Sequence, residues 1–547
     1  MNLQRTVQVF CLAIFLLLST AAAFRYTGWL PHDLFLRLDP AAALLTGIAA
    51  RVWLVGFLAA GAVLALTVVL GRFFCGYLCP LGTVIDGVDA CVAKPGARTG
   101  NIPARWRAAK YGVLIFTMAA ALAGLSLAFL VAPIPLVTRF FALLVLPLIQ
   151  QLADLLLRLA APLADRFDLT SLLYLQLPLP RFYLQWLTLF LMLLILAAGR
   201  WRSRFWCRCL CPAGALMALC ARRPVLRRRV TDDCIDCGRC TRHCPTGAIG
   251  EDPRTTSHGE CITCQACRRV CPTQAVVFAR PRPLNGAGPR SSFSQYRRGL
   301  LLAGVSGLGT AAVTLSGARH LLGDTGTRRV IPPDLIRPPG ARPEDDFLRR
   351  CYRCGACLEA CPTNTLQPYG LSAGLPGLLT PVITPQLGPC EPTCTTCGQA
   401  CPTQAIRSLP PAERLWAKVG TAHILRHKCL AWELDRKCLV CDEVCPYDAI
   451  VLKQEPGLKV AVPFVMEKRC SGCGYCEHHC PVEAVPAIVV EPMDALRLSS
   501  GSFRRQGRAI GMDLQLRSKK PPPGEVASPY PLHEGTDGQG LPPGFSE

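Results

Sequence analysis

The cysteines of this chain fall into groups of four with a repeated spacing. Four groups read Cys-x2-Cys-x2-Cys-x3-Cys-Pro, and two more keep four cysteines and the Cys-Pro ending after a longer first interval. The regular groups are Cys234, Cys237, Cys240 and Cys244; Cys261, Cys264, Cys267 and Cys271; Cys351, Cys354, Cys357 and Cys361; and Cys470, Cys473, Cys476 and Cys480. The altered groups are Cys390, Cys394, Cys397 and Cys401, and Cys429, Cys438, Cys441 and Cys445. Thiolates at this spacing are typical cubane ligands, so the six groups predict six 4Fe-4S clusters.

Other uses of clustered cysteines fit this spacing less well. Disulfide frameworks do not repeat one short spacing that ends in Cys-Pro, and a structural zinc site uses two well-separated cysteine pairs. The sequence has no Cys-x-x-Cys-His haem motif, no flavin-attachment motif and no nucleotide-binding loop. We therefore expect iron–sulfur clusters as the cofactors.

The first two groups predict one two-cluster unit. In bacterial ferredoxins the fourth cysteine of each group ligates the other cluster. Carried over to this chain, the rule gives two sets of ligands. They are Cys234, Cys237, Cys240 and Cys271, and Cys261, Cys264, Cys267 and Cys244.

Two further motifs have the spacing Cys-x3-Cys-Pro. They contain Cys75 and Cys79, and Cys207 and Cys211. Each motif follows an apolar run, so both are expected at helix ends on one side of a membrane, where a quinone headgroup would dock. We predict that these four cysteines are redox motifs on the quinol side; the alternative is that they pack as small hydrophobic residues.

The surroundings of these motifs support a further expectation. Nearby Arg72, Arg204 and Arg208 predict a lowered cysteine pKa, because positive charge favours the thiolate. The remaining cysteines are expected to be packing residues. They are Cys11, Cys91, Cys209 and Cys220.

Apolar runs must position these motifs. The formal charge is +22, but a mean hydropathy of +0.30 and 51% hydrophobic residues indicate lipid rather than nucleic acid as the partner. Four uncharged runs of 18 to 21 residues are long enough to span a bilayer as helices. They are residues 6–24, 52–70, 111–131 and 182–199. A fifth stretch, from Phe140, meets polar residues after ten positions and is expected to be interfacial or re-entrant.

The basic residues orient these runs. Arginine and lysine are concentrated after the second and fourth runs, whereas the intervening loop is nearly balanced in charge. By the positive-inside rule, the N-terminus and both basic loops are cytoplasmic. The alternative, that the first run is a cleaved signal peptide, is weaker because no small-residue cleavage site is followed by a soluble domain.

A second apolar segment separates the two cysteine-rich regions. Arg297 and Arg298 precede a mildly apolar run at 299–318, a pattern that resembles a twin-arginine export signal. An ordinary fifth span and a non-spanning linker are the alternatives. Export would put the second cysteine-rich region outside the cytoplasm, while the first stays inside.

The predicted fold is an α-helical membrane domain joined to α+β ferredoxin-like 4Fe-4S domains. The expected divisions are a transmembrane domain at 1–205, a two-cluster domain at 206–280, a linker at 281–346 with the twin-arginine segment at 297–318, a four-cluster domain at 347–496 and a tail at 497–547. The tail is rich in proline and glycine and is expected to be disordered from about residue 518.

These motifs together resemble two known families. Residues 1–280 resemble the NapH/MauN family of membrane ferredoxin-type proteins, with four spans, paired Cys-x3-Cys-Pro motifs and a two-cluster ferredoxin. Residues 295–490 resemble the NapG/MauM family, through Arg297-Arg298, the segment Ile336-Arg-Pro-Pro-Gly-Ala-Arg-Pro-Glu-Asp-Asp-Phe347 and Cys429-Leu-Ala-Trp432 among the four cysteine groups. The chain therefore resembles a fusion of two usually separate subunits.

The resemblance implies a function. Such proteins oxidise membrane quinol and deliver electrons to a periplasmic redox protein or c-type cytochrome, in systems of the nitrate reductase or methylamine dehydrogenase type. It also implies nested pairing of the last four groups, first with fourth and second with third, although sequential pairing stays open. The chain would be a quinol dehydrogenase component in the bacterial inner membrane rather than a stand-alone enzyme.

Two other functions remain open at the sequence level. One is a maturation factor that reduces a metal or thiol for another enzyme, because related membrane ferredoxins with Cys-x3-Cys-Pro motifs reduce copper during oxidase assembly. The other is a docking subunit whose clusters mainly stabilise a complex.

Overall fold

The computed structural model describes residues 3–23, 31–53, 55–92, 102–167, 179–280, 297–315 and 335–517. Residues 281–296 and 316–334 of the predicted linker and the tail from residue 518 lie outside these residues. The described residues form a helical region and two ferredoxin-like units.

The helical region consists of apolar helices interrupted by short ones. Its helices are Leu3–Ala23, Leu34–Arg37, Pro40–Ala50, Leu58–Leu70, Phe73–Tyr77, Pro80–Val92, Ala104–Leu122, Ala128–Val131, Pro133–Phe140, Leu146–Arg166, Gln185–Ala198, Phe205–Cys209 and Pro212–Cys220. Proline begins the Pro40–Ala50 and Pro212–Cys220 helices, as expected for a residue that has no N–H to leave unpaired there.

Three of the four predicted spans are shorter as helices than as apolar runs. Residues 52–70 give the 13-residue helix Leu58–Leu70, and residues 182–199 give the 14-residue helix Gln185–Ala198. The run at 111–131 is broken after Leu122 by a turn in which Gly124 has a φ of 90°. By length and composition, two helices in the described part of the chain can cross a membrane, Leu3–Ala22 and Pro133–Pro162.

The stretch from Phe140 belongs to the longer of these two helices. Pro133–Phe140 continues through a π-helical turn, Phe141–Val145, into Leu146–Arg166. Its first half is buried, whereas Leu148, Leu152 and Leu159 in its second half are more than half exposed. The stretch is therefore part of a continuous helix with one apolar exposed face, and its interfacial or re-entrant position stays a prediction.

The first ferredoxin-like unit lies between two paired strands. Arg227–Val230 and Val276–Ala279 form an antiparallel ribbon, and the one-turn helices Arg239–Arg242 and Ala266–Arg269 lie between them in sequence. The unit is shorter than the predicted 206–280, because Pro212–Cys220 packs with the helical region instead.

A long helix follows this unit. Arg297–Leu315 packs along Ala104–Leu122 with small residues at the contact. A Cβ added at Gly307 would lie 2.4 Å from the Phe116 carbonyl oxygen, so the two backbones approach closely. Close backbone contact through small residues is typical of helix pairs in membranes.

The second ferredoxin-like unit is larger than predicted. Its helices are Glu344–Arg350, Ala356–Glu359, Thr396–Gln399, Pro411–Arg414, Leu430–Glu433, Val440–Glu443, Tyr475–His478 and Phe503–Ala509, and its antiparallel strand pairs are Leu366–Pro368 with Pro381–Ile383, Thr421–Ile424 with Ile488–Glu491, and Ile450–Gln454 with Ala461–Val465. Leu335 and Ile336 precede the expected boundary and are buried. The expected tail also begins too early, because Phe503 and Leu514 belong to the buried core.

Candidate metal centres

The four regular cysteine groups share one backbone conformation. In each group the second and fourth residues after the first cysteine have left-handed backbone, with φ between 51° and 83°. These residues are Asp236 and Gly238, Thr263 and Gln265, Arg353 and Gly355, and Gly472 and Gly474. Left-handed backbone is costly for side chains other than glycine, so its retention indicates a local requirement. Alternating backbone of this kind points N–H groups into a concave site that suits an anionic iron–sulfur cluster.

Backbone amides also reach the fourth cysteine of several groups. Its sulfur accepts a hydrogen bond from an N–H a few residues later at about the same distance each time. The bonds are Ala248 N to Cys244 Sγ, Ala449 N to Cys445 Sγ and Ala487 N to Cys480 Sγ, each 3.3 Å. Hydrogen bonds to cluster sulfurs are one determinant of reduction potential.

Four thiol-lined cavities lie in the second ferredoxin-like unit, with volumes of about 320 to 400 Å³. We call them sites A to D. Site A is lined by Cys351, Cys354, Cys357 and Cys401; site B by Cys361, Cys390, Cys394 and Cys397; site C by Cys445, Cys470, Cys473 and Cys476; and site D by Cys429, Cys438, Cys441 and Cys480. The remaining lining is mainly apolar, which suits a cofactor that is shielded from water.

These linings replace the nested pairing with a sequential one. Groups one and two exchange their fourth cysteines, Cys361 and Cys401, and groups three and four exchange Cys445 and Cys480. Packing explains the exchange, because the short helix that holds the third thiol of each group lies against the corresponding helix of its sequence neighbour. The expectation of first-with-fourth pairing is therefore wrong for this chain.

The two halves of the unit meet between sites B and C. The amide of Cys390, in site B, donates to the carbonyl of Cys473, in site C, over 2.8 Å. Beside this junction, Tyr475 Oη donates to Glu391 Oε2 over 2.6 Å. The four sites therefore follow one another in the order A, B, C and D.

A buried arginine lies beside a cysteine sulfur in each ferredoxin-like unit. Arg228 Nη2 is 3.4 Å from Cys240 Sγ, and Arg414 Nη2 is 3.2 Å from Cys390 Sγ. Burial raises the pKa of Cys390 to about 11, although Arg414 acts in the opposite direction. Deprotonation of this thiol is therefore coupled to metal binding.

The first unit brings its two cysteine groups together. Cys244 lies within electrostatic range of Cys261, Cys264 and Cys267. The core of this unit contains one thiol or more from each predicted ligand set. These core cysteines are Cys240, Cys244, Cys267 and Cys271.

The Cys-x3-Cys-Pro cysteines converge inside the helical region. We call Cys75, Cys79, Cys207 and Cys211 the thiol quartet. Each of these four thiols lies close enough to the other three to interact with them electrostatically. Cys79 is 7% exposed and Cys211 is 4% exposed. A fifth sulfur, Met217 Sδ, lies 3.5 Å from Cys75 Sγ.

The two motifs of the quartet form an internal repeat. Each reads Arg-Phe-aromatic-Cys-x3-Cys-Pro-x-Gly, and the repeated stretches are residues 72–82 and 204–214. Arg72 Nη2 donates to the Cys207 carbonyl over 3.5 Å, and Arg204 Nη1 donates to the Cys75 carbonyl over 2.9 Å. The arginine of each motif therefore holds the backbone of the other.

Two carboxylates that sequence reasoning missed neutralise these arginines. Asp86 pairs with Arg204, and Glu260 pairs with Arg72 over 3.1 Å and with Lys110. Burial alone would raise the pKa of Glu260, but its two cationic partners hold it below the usual value. The sequence feature that could have indicated a role for Glu260 is its position directly before Cys261.

The expected lowering of the cysteine pKa is wrong for Cys79, Cys207 and Cys211. Burial raises the pKa of Cys207 to about 11 and outweighs the opposing effects of Arg204 and Arg72. Burial likewise raises the pKa of Cys211 well above the ordinary value. Arg72 and Arg204 lie beside the quartet as predicted, whereas Arg208 lies near Cys209 and Cys244 instead. Removal of the thiols from water has the larger effect on their pKa.

One Cys-x2-Cys loop of each ferredoxin-like unit contacts the helical region. We call residues 261–264 the first docking loop and residues 351–354 the second. In the first, Tyr77 Oη donates to the Thr263 carbonyl over 3.0 Å. In the second, Arg353 Nη1 donates to the Ser126 carbonyl over 2.9 Å, and Tyr352 stacks on Phe57 at 5.8 Å.

The docking loops contact opposite ends of the same helices. Gly71, which follows the Leu58–Leu70 helix, faces the first loop, and Phe57, which precedes it, contacts the second. At the end of Gln185–Ala198, Ser203 Oγ donates to the Pro245 carbonyl, whereas Tyr183 N, before that helix, donates to Gln367 Oε1. The helical region therefore lies between the two units.

The remaining cysteines divide by burial. Cys209 is fully buried, and Cys11 and Cys220 are partly buried, which is compatible with packing. Cys91 is exposed, so the packing interpretation is wrong for that residue.

Family comparisons agree with the cysteine-rich units. Families described as 4Fe-4S binding domains match residues 52–98 and 184–231 and residues 463–485, and a family described as a 4Fe-4S dicluster domain matches residues 227–275. The prediction of 4Fe-4S ferredoxin domains is therefore confirmed.

Curated relatives point the same way. The methylamine utilization ferredoxin-type protein MauM of Methylorubrum extorquens is 37% identical over 225 residues, which cover 40% of this chain and 98% of that protein. MauM of Paracoccus denitrificans is 40% identical over 32% of this chain and 78% of its own length. The ferredoxin-type protein NapG of Escherichia coli is 34% identical over 31% of this chain and 77% of its own length. The predicted NapG/MauM resemblance is confirmed.

Proposed function

Because the chain belongs to the MauM family of ferredoxin-type proteins, which are iron–sulfur electron-transfer proteins, we propose that it is a membrane-bound conduit from quinol to a periplasmic redox partner. The observation that carries the proposal is the pair of docking loops. Each places cluster-ligand cysteines against the helical region, at opposite ends of the same helices. The helical region and the first ferredoxin-like unit then correspond to the NapH/MauN-like part, and the second ferredoxin-like unit corresponds to the NapG/MauM-like part.

We propose six 4Fe-4S clusters in this chain. Sites A to D hold four, with the ligands that line each cavity. The first unit holds two, through Cys234, Cys237, Cys240 and Cys271 and through Cys261, Cys264, Cys267 and Cys244. Bound clusters of this type supply one-electron transfer.

The proposed membrane topology has five crossings. Leu58–Leu70 and Gln185–Ala198 are the helical parts of longer apolar runs that cross, and Pro133–Pro162 keeps its predicted interfacial position. The helices Leu3–Ala23, Leu58–Leu70, Ala104–Leu122, Gln185–Ala198 and Arg297–Leu315 run alternately between the ends that face the two docking loops. Ala311, near the end of the last, packs with Leu378 of the second unit. Described basic residues that follow the second and fourth runs lie at the end that faces the first docking loop, among them Arg72, Lys110 and Arg204. Their position favours a cytoplasmic first unit and a periplasmic second unit.

Quinol is proposed to enter near the thiol quartet. Both Cys-x3-Cys-Pro motifs follow apolar helices at the end that faces the first docking loop. Exposed apolar side chains lie on those helices towards that end, among them Leu66 and Leu194. An apolar surface of this kind suits a lipophilic quinol, whose headgroup would donate electrons beside the buried sulfurs.

Site D is the proposed exit for electrons. It is farthest from the helical region in the order A to D, and basic residues precede its first two cysteines. Those that are exposed are Arg426, His427, Arg436 and Lys437. A redox partner with an acidic face would meet complementary charge there.

Cluster reduction by quinol tests the proposal. Anaerobic membranes that contain the full chain are mixed with a menaquinol analogue, and the visible absorption of oxidised clusters is followed. We expect bleaching that requires the intact helical region. Dithionite reduction of all clusters without any reduction by the quinol analogue would contradict the quinol dehydrogenase function.

A further inference from the structure

We propose that the thiol quartet binds an iron–sulfur cluster of its own, a seventh centre located between the two ferredoxin-like units. The inference rests on the proposed electron-transfer function and adds a site to it. The ligands are Cys75, Cys79, Cys207 and Cys211, two from each copy of the internal repeat.

The spacing of the sulfurs favours a cluster over a single ion. All six pairs of quartet thiols are within electrostatic range. Nowhere among the described residues do three or more cysteine, histidine or acidic side chains surround a point that suits one metal ion. Sites A to D share this property, as expected when a polynuclear cluster rather than one ion fills the space between thiolates. Both 2Fe-2S and 4Fe-4S clusters use four cysteines.

The charges around the quartet are those that such a cluster needs. Four thiolates with the core of a 2Fe-2S or 4Fe-4S cluster carry a net negative charge, and a buried anion requires nearby cations. Arg72 is 2% exposed and lies within electrostatic range of Cys75, Cys207 and Cys211. Arg204 is 1% exposed and lies in range of Cys207.

Two buried donors at the quartet have no hydrogen-bond partner in the described part of the chain. They are Arg72 Nε and Trp206 Nε1. Trp206 precedes Cys207 and packs beside Cys211. Buried polar groups are normally satisfied, so two free donors beside four sulfurs indicate that an acceptor belongs there. The inorganic sulfides of a cluster are such acceptors.

The quartet also lies between the two docking loops. On one side, a Cβ added at Gly76 would lie 2.6 Å from the Ile262 carbonyl of the first loop. On the other, Ala41 packs with Cys211 at the start of the Pro40–Ala50 helix. Thr46, in the same helix, lies beside Tyr352 of the second loop. One helix of 11 residues therefore links the quartet to site A.

The family comparison agrees independently. The two stretches that match a 4Fe-4S binding domain, 52–98 and 184–231, contain the thiol quartet and none of the six cysteine groups. A cluster-binding description therefore falls on residues whose only paired cysteine motifs are those of the quartet.

Iron counting and spin integration on the full chain test the inference. The double variant Cys79→Ser/Cys211→Ser is compared with wild type after anaerobic purification, by metal analysis and by EPR of the dithionite-reduced protein. We expect a loss of about two to four iron atoms per chain and of one spin system, with the other clusters retained.

Cys209→Ser is the matched control, because Cys209 is fully buried two residues from both Cys207 and Cys211. It should keep all of its iron. Equal iron and spin in the double variant and wild type would overturn the inference, and so would an equal loss in the Cys209→Ser variant. Neither readout uses quinol, so a protein that keeps the seventh centre but is not reduced by quinol would refute only the proposed function.

Discussion

The two docking loops have the same cysteine spacing, and in both the residue before the second cysteine has left-handed backbone. The loops nevertheless attach to the helical region by different interactions. The first depends on charge, since Glu260 beside it pairs with Arg72 and Lys110 of the helical region. The second depends on burial of Tyr352 and on hydrogen bonds from Arg353 to backbone carbonyls. The comparison shows that a cluster-binding loop fixes its own shape, whereas the two residues between its cysteines and the residue before them decide how it docks.

Removing the charge of the first attachment should have the largest effect. Glu260→Gln removes the carboxylate that pairs with the buried Arg72 and Lys110, and breaking a buried pair costs about 3–5 kcal/mol. Hydrogen exchange of residues 258–264 should accelerate strongly, while that of residues 351–354 stays unchanged. Asp236→Asn, which removes an exposed ion pair with Arg254 in the same unit, is the control and should have little effect. Equal protection in Glu260→Gln and wild type would show that charge does not hold the first loop.

The second attachment should weaken less when its charge is removed. Arg353→Met keeps the volume but leaves the Ser126 and Pro376 carbonyls without a donor and removes the stacking on Phe129. We expect a cost of about 2 kcal/mol, because the desolvation of a buried guanidinium is relieved at the same time. Protection of residues 126–130 and 351–354 should fall together. A larger loss than in Glu260→Gln would reverse the proposed order of the two attachments.

The helix between the two units offers a matched pair of glycines. Gly307→Ala would place its Cβ against the Phe116 carbonyl, whereas a Cβ at Gly309 meets no atom within 4 Å. We expect Gly307→Ala to lower stability by about 1–2 kcal/mol through overpacking and Gly309→Ala to be neutral or slightly stabilising. Thermal unfolding in detergent measures both. Similar melting temperatures for the two variants would refute the close packing of Arg297–Leu315 on Ala104–Leu122.

The smallest effect is expected at the exit surface, where neither attachment is involved. Arg436→Glu/Lys437→Glu should slow reoxidation of the reduced protein by ferricyanide about three- to tenfold at low salt, because steering of an anion is lost. The difference should shrink as ionic strength rises. Arg504→Glu/Arg505→Glu makes the same charge change on an exposed helix away from site D and should leave the rate unchanged. A rate that falls equally in both variants would remove the argument for an exit at site D.

Short sequence patterns predicted their features of this molecule correctly, whereas the expected pairing of distant cysteine groups was wrong. The cysteine groups, the ferredoxin units and the convergence of the Cys-x3-Cys-Pro motifs follow from short patterns that act within a few residues. The exchange of Cys361 with Cys401 depends on which short helices pack together, and spacing carries no information on that. Glu260 and Asp86 were missed because a single acidic residue in a sequence looks the same whether it is solvated or buried against arginine.

Hydropathy also did not predict where the helices end. An apolar run records which residues avoid water, but Gly124 ends the helix that begins at Ala104 although the apolar character continues to Val131. The expected thiolates failed for a related reason. Counting arginines near Cys207 gives the sign of their effect on its pKa, whereas the size of the opposing burial effect requires the packed structure.

The reciprocal hydrogen bonds between the two Cys-x3-Cys-Pro motifs constrain how the protein is made. The carbonyl that receives Arg72 belongs to Cys207, which leaves the ribosome 135 residues later. Until then the first motif lacks its partner, and its buried arginine also lacks Glu260, which is synthesised later still. Insertion of the early helices must therefore tolerate an unpaired cation, and the helical region can close only after the first ferredoxin unit has been translated.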